Sequence, residues 1–325
     1  MTSFRMLAVT AILGAGMIAP WSAGAAESDY PSKPIRMIVP FPAGGTTDVV
    51  ARLIGAKLGE AWGSTVVVEN MGGASGMIGT AAGVRAAADG YTITIGNNQT
   101  HATNAALFPK AQFDLTKDVQ PIAMLTRTRH AIVVPADSPY ETLDALVAGG
   151  KQKALNYASS SMGSSSHLVS GTLCAQEGMD CTHVPYQGAA GAITDLLAGH
   201  VDFMTASYAS AVTYMTAGRL RGLAISGEER EVQAPNVATL GELGRETLSA
   251  DSWIGVFAPA GTPRPVVEKW SAELERIMAM PDVKSRLEAA GFEVWYQPVA
   301  QFEDFHRQEI KRWADMVEAS GVELQ

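Results

Sequence analysis

The sequence predicts two α/β lobes joined by several short crossings. Short β-rich runs alternate with helix-like segments along the chain, no low-complexity linker separates the halves, and no repeat of solenoid period appears. Residues 35–40 are apolar and β-branched, a strand, and the Pro/Gly run 41–45 is a turn. Residues 46–60 place Val49, Val50, Leu53, Ile54 and Leu58 on one helical stripe. A strand at 65–69, a turn at Gly72 and Gly73, a small-residue helix at 77–88, a turn at Asp89 and Gly90 and a strand at 91–95 follow. This β-α-β-α-β order predicts a mainly parallel sheet flanked by helices.

The alternation continues with strands at 131–134, 155–158, 182–186, 201–204 and 220–225. Helices start at 142–147 and occupy 167–177 and 191–198. Residues 253–258 are a strand returning to the first sheet, and 266–278 and 302–320 are amphipathic helices. Lobe 1 is thus expected to comprise 27–130 plus 253–325 and lobe 2 to comprise 131–252, each a mainly parallel sheet with helices, and a ligand cleft between them.

Residues 1–26 differ from the rest. Arg5 precedes an apolar, small-residue run, and Ser22-Ala23-Gly24-Ala25-Ala26 offers a cleavage site after Ala25 or Ala26. This is the pattern of a secretory signal peptide and implies a periplasmic, soluble mature protein. Of the 325 residues, 47% are hydrophobic and 18% charged, enough to fill a core. The net charge of −9 becomes −10 without Arg5, which argues against nucleic acid as a partner but not against a small anion held by local donors. Cys174 and Cys181 have six residues between them. Export makes a disulfide chemically accessible, and two small buried thiols are the other reading.

Three loops could carry binding chemistry. Phe41-Pro42-Ala43-Gly44-Gly45-Thr46 joins a strand to a helix, so backbone N–H groups and the helix dipole favour an anion, although Thr46 also suits a plain helix cap. Residues 159–167 supply six serine hydroxyls, Gly163 and His167 at the end of another strand, where open α/β sheets bind ligands; an ordinary capped loop has the same composition. Gly96-Asn97-Asn98-Gln99-Thr100-His101 offers neutral donors and acceptors, or forms a surface turn. Neither G-x-x-x-x-G-K-[ST] nor G-x-G-x-x-G occurs, so a nucleotide site is not indicated. The six histidines form no H-x-x-x-H pair, and no metal or other cofactor is expected.

Several motifs resemble the substrate-binding proteins of tripartite tricarboxylate transporters, the Bug or TctC family. They include Pro34 through Asp48, Val67-Val68-Glu69-Asn70, Asp89-Gly90-Tyr91-Thr92, Leu155-Asn156-Tyr157-Ala158-Ser159-Ser160, His183-Val184-Pro185-Tyr186-Gln187-Gly188, Asp195 through Asp202, and Phe257 through Pro263. They run in order through the whole mature chain. The resemblance implies a two-lobed, type II periplasmic binding-protein fold that closes on a small carboxylate. It implies no catalysis, a monomer, and delivery to membrane transporter subunits or to a sensor kinase. It assigns ligand contact to Phe41, Ala43, Gly44, Gly45 and Thr46, and to Ser159, Ser160, Gly163, Ser164 and His167, with Asn97, Thr205 and Tyr208 as further candidates.

Two departures from the family pattern stand out. Ser159-Ser160-Ser161 replaces Ser-Ser-Gly, and Thr205-Ala206-Ser207-Tyr208 stands where an aspartate is common. Loss of that aspartate argues against an amino-acid ligand. Tyr208 is then available to line a pocket for an aromatic or longer acid, or to pack in the core. The alternative from another class is a secreted serine hydrolase of small esters or amides, using a loop serine with His167 or His183. No G-x-S-x-G elbow supports it.

Overall fold

The computed structural model describes residues 30–322; the expected leader at 1–26 lies outside the described residues. The chain begins with β1 (Ile35–Val39), α1 (Thr46–Trp62), β2 (Val66–Asn70), α2 (Met77–Val84), β3 (Thr92–Asn97), α3 (Asn104–Leu107) and β4 (Val119–Thr128). It continues with β5 (His130–Pro135), α4 (Leu143–Gly150), β6 (Leu155–Ser159), α5 (Ser165–Glu177), β7 (Cys181–Pro185), α6 (Ala189–Leu197), β8 (Phe203–Ser207), α7 (Tyr208–Thr216) and β9 (Leu220–Ile225). It ends with β10 (Ser252–Pro259), α8 (Arg264–Met278), α9 (Pro281–Ala289), β11 (Glu293–Gln297) and α10 (Val299–Ser320).

Two sheets result, one ordered β11-β4-β10-β3-β1-β2 and the other β7-β6-β8-β5-β9. They are mixed rather than mainly parallel. The βαβ units β1–β2, β1–β3, β6–β7 and β6–β8 pair in parallel. The strands next to the crossings pair antiparallel: β10 with β3 and β4, β11 with β4, and β5 with β8 and β9. Only Arg129 separates β4 from β5, so the chain passes straight from one sheet to the other. The return from β9 to β10 is pinned to that passage. Ser226 N–H donates to His130 O at 2.8 Å, His130 N–H donates to Ser226 Oγ at 2.8 Å, and Ser226 Oγ donates to Asp251 Oδ1 at 2.5 Å.

The sequence patterning missed β4, α3, α7, α9 and β11. The helix expected at 77–88 stops at Val84, ahead of the Asp89-Gly90 turn. Residues 99–107 form a buried helical turn running into α3 instead of a surface loop.

One apolar cluster runs through both sheets. It joins Met124, Phe257, Phe302 and Trp313 to Leu155, Leu168, Tyr157 and Phe203. Helix α10 closes the assembly, packing on β4, α3 and α5. Burial of this continuous surface is the main force holding the lobes together on that side. Cys174 at the end of α5 and Cys181 at the start of β7 are disulfide-bonded, with Cα atoms 6.2 Å apart. The bridge ties the edge strand β7 to the helix covering it.

Candidate functional site

The first loop leaves the carboxyl end of β1 and enters α1 through Gly45, which has extended geometry and no side-chain cap. Asp48 organises it. This buried carboxylate accepts Gly44 N–H at 2.8 Å, Arg52 Nε at 3.0 Å and Asn70 Nδ2 at 2.9 Å. Burial acts to raise its pKa, but Arg52, Gly44 N–H and Asn70 together hold it below the ordinary carboxylate range. The Gly44 donor is therefore occupied. Among the described residues, the N–H groups of Ala43, Gly45 and Thr46 have no protein partner. Pro42, Ala43 and Gly44 are exposed, while Phe41, Gly45 and Thr46 are half-buried. Free N–H groups at a helix start present partial positive charge to an anion.

The second loop leaves β6 and enters α5, and is held from within. Ser164 is the N-cap: its Oγ accepts His167 N–H at 3.3 Å and donates to Ser161 O at 2.7 Å. Ser159 Oγ lies 2.6 Å from His183 Nε2 and 3.0 Å from Ser161 O, and the residue is fully buried. Ser160 N–H donates to Ser166 Oγ at 2.9 Å. Gly163 N–H donates to His167 Nδ1 at 3.1 Å. Gly163 has φ +73°, and a Cβ there would stand 2.0 Å from Leu107 Cδ1, so this position requires glycine. The N–H groups of Ser161, Met162, Ser165 and Ser166 have no protein partner among the described residues. The free donors of this loop are thus backbone groups, and the hydroxyls of Ser159 and Ser164 shape the loop.

A segment that sequence reasoning missed stands between the two loops. The turn 71–76 packs against the first loop: a Cβ on Gly72 would meet Pro42 Cδ at 3.2 Å. Ala74 and Ser75 adopt positive φ, at +46° and +55°, an unusual conformation for non-glycine residues. Ser75 Oγ donates to Met162 O at 3.1 Å, and Asn104 Nδ2 donates to Ser75 O at 2.9 Å. Gln99 Nε2 lies 2.7 Å from Ser161 Oγ and 3.0 Å from Met162 O, and Asn98 Nδ2 donates to Ser165 Oγ at 2.7 Å. The Gly-Gly pair and the polar run were visible in the sequence, but nothing local showed that they reach the serine loop.

Three further candidates remain, Asn97, Thr205 and Tyr208. Asn97 Oδ1 accepts Thr100 N–H at 3.1 Å. Thr205 is fully buried, its Oγ1 accepting from Ser170 Oγ at 2.8 Å. Tyr208 packs among Ala131, Val133, Ala206 and Val212, with its hydroxyl buried and unpaired. Burial pushes that phenol up to about 12. Tyr208 is thus a core residue here. Neither a 140 Å³ recess beside Arg127, Trp253 and Arg312 nor a 420 Å³ groove beside Asn104, Phe108 and Phe113 is lined by any of the expected ligand residues. Among the described residues, no three His, Cys, Asp or Glu side chains are placed to hold a metal ion, and no helix is long and apolar enough to cross a membrane.

Five histidines are held neutral. Burial takes His167 down to about 3, helped by neighbouring His183, and takes His183 and His306 down to about 4. Burial also lowers His101 and His130. Unfolded histidines protonate near 6.5, so the unfolded chain takes up protons that the native state refuses. The stability these groups contribute is complete above about 6.5 and is lost as pH falls from there toward 4 and 3. His167 and His306, both almost fully buried, together predict a loss of roughly 4 kcal/mol between pH 7.5 and pH 5. Denaturant titrations at the two pH values measure it, and equal stabilities would contradict the buried, neutral assignment.

The fold is shared with known proteins. Residues 50–322 match the family described as the tripartite tricarboxylate transporter family receptor. The chain is 33% identical to protein BugT of Bordetella pertussis over 329 aligned positions, covering all of both chains. Its structure is similar to that of the periplasmic binding protein BugD, with a TM-score of 0.84 and 32% identity over 91% of this chain and all of that one. It is also similar to MatC of Rhodopseudomonas palustris with bound malate, with a TM-score of 0.82 and 33% identity over 89% of this chain and all of that one. Members of this group are solute-binding proteins of the periplasm, with two-lobed folds. The chain belongs to the tripartite tricarboxylate transporter receptor family.

Proposed function

We propose that this protein captures a small organic acid in the periplasm, after cleavage of its leader near Ala25 or Ala26, and delivers it to the membrane subunits of a tripartite transporter. The lobes of the trap are 27–130 plus 253–325, and 131–252. The supporting observation is the pair of unpaired N–H clusters, one at the carboxyl end of β1 and one at the carboxyl end of β6, each opening a helix on a different sheet. Each cluster suits one face of a carboxylate, and the strained turn at Ala74 and Ser75 lies between them. The malate bound by MatC is a ligand of this class.

A hydrolase is disfavoured by the same geometry. Ser159 and His183 are within hydrogen-bond distance, but Ser159 is fully buried and its hydroxyl also faces Ser161 O. A nucleophile must reach its substrate.

A thermal-shift panel of mono- and dicarboxylates tests the reading. Ligand at a hundred times Kd stabilises a folded protein by about 2.7 kcal/mol, roughly 4 °C for a chain of this size. At least one acid is expected to give that shift and its methyl ester none. Equal shifts from acid and ester would overturn anion recognition.

A further inference from the structure

Against the serine loop, three aromatic rings form a cluster with His183 at its corner. Tyr157 on β6 and His183 on β7 face each other in register, with ring centroids 5.0 Å apart. His167 on α5 stacks on His183 with centroids 3.7 Å apart and planes 9° from parallel. The two imidazoles hold opposite ends of one loop. His183 Nε2 is 2.6 Å from Ser159 Oγ at the end of β6. His167 Nδ1 accepts Gly163 N–H at 3.1 Å, next to the N-cap of α5. Because Nδ1 is an acceptor, His167 is neutral and carries its proton on Nε2. Between the two attachment points lie Ser161 and Met162, whose N–H groups have no protein partner among the described residues.

A ring stack of this kind could be simple core filling. The contacts are more specific. Each ring contributes one polar atom to the loop, and each polar atom meets the loop at an end that fixes the direction of the peptides between. We propose that His167 and His183 are positioning residues for anion binding: the stacked pair anchors Ser159 and Gly163, so that the Ser161 and Met162 N–H groups converge on the ligand carboxylate. The role rests on the carboxylate reading above, since it supplies the geometry of one jaw. Neither histidine need touch the ligand.

Substitutions separate anchoring from filling. His167→Phe keeps a ring in the stack and removes the acceptor. His167→Asn keeps an acceptor near the Nδ1 position and removes the ring. The parent is titrated calorimetrically with malate, with adipate and with the other acids of the mono- and dicarboxylate panel, and the variants with whichever acid binds most tightly. His167→Phe is expected to weaken binding about tenfold while remaining the more stable of the two variants. His167→Asn is expected to bind within about threefold of the parent although it is less stable. His183→Phe and His183→Gln form the same contrast at Nε2.

Affinity and stability therefore rank in opposite orders if the histidines anchor the loop. If affinity simply follows stability, or if the Phe variants bind as the parent does, the positioning role is overturned. A parent that binds no acid of the mono- and dicarboxylate panel overturns the carboxylate reading, and this role with it. Should the variants not fold, nitrogen-15 spectra of the parent decide: the Nε2–H tautomer at His167 with a slowly exchanging Gly163 amide is expected. A His167 proton on Nδ1 would overturn the proposal.

Discussion

Glu309→Ala is expected to destabilise the folded chain by about 3–5 kcal/mol, since it leaves buried polar groups without a partner. Glu309 lies on α10 and is almost fully buried. Its Oε2 accepts from Trp253 Nε1 at 2.7 Å and from Trp313 Nε1 at 2.7 Å, and its Oε1 accepts from Arg312 Nη1 at 3.0 Å. Trp253 is the second residue of β10, just where the chain returns to the first sheet, and both indoles belong to the cluster that spans the two sheets. Removing the carboxylate strands two indole N–H groups in an apolar interior, each costing about 1–3 kcal/mol. Glu309→Gln keeps an acceptor for the indoles and should lose less than half as much. Denaturant unfolding of both variants measures the effect, and an Ala variant within about 1 kcal/mol of the parent would show that the buried cluster tolerates unpaired indoles.

Gly45→Pro should weaken carboxylate binding about ten- to a hundredfold, the second large effect. A hydrogen bond to a charged group contributes about 1.5–3 kcal/mol, and proline removes one donor from the first loop. Gly45 has φ −76°, near the proline value, and a Cβ there would make an ordinary 3.5 Å contact with Pro42 O. Gly45→Ala adds the same carbon and keeps the N–H, so it should bind within about threefold of the parent. Gly44 is a poorer target. Its φ of +81° strains any side chain, and its N–H already serves Asp48. Equal affinities for the Pro and Ala variants would remove the Gly45 amide from the site.

The amphipathic helices and the βαβ strands were legible because their periodicity is local. The strand β4 was not. It is central, and Pro121 through Thr126 are all buried, so no alternation marks it and its apolar run reads equally as helix. The polar loop Gly96 to His101 left a binding loop and a surface turn both open by composition, and its residues Asn98 to His101 are buried beneath α10 and against the serine loop. Both donor loops were placed correctly at strand ends, and an ordinary capped loop was among the alternatives for the second, whose N-cap is Ser164. Which atoms of those loops remain free was not legible. Ser159 meets His183 across 24 positions, and Ser75 meets Met162 across 87. Such contacts arise from tertiary packing and leave no trace in local sequence. Tyr208 shows the same limit: its position in the sequence left ligand contact and core packing both open, and the neighbouring strands enclose it.

In the proposed trap, two loops, one from each sheet, hold one carboxylate through backbone N–H groups. The most direct test is a titration of nitrogen-15-labelled protein with malate or adipate, whichever binds, following amide resonances. The amides of Ala43, Gly45 and Thr46 should shift together with those of Ser161, Met162 and Ser165, all with one midpoint. Shifts confined to one loop, or centred on the recess beside Arg127 and Trp253 or the groove beside Asn104 and Phe108, would contradict the account.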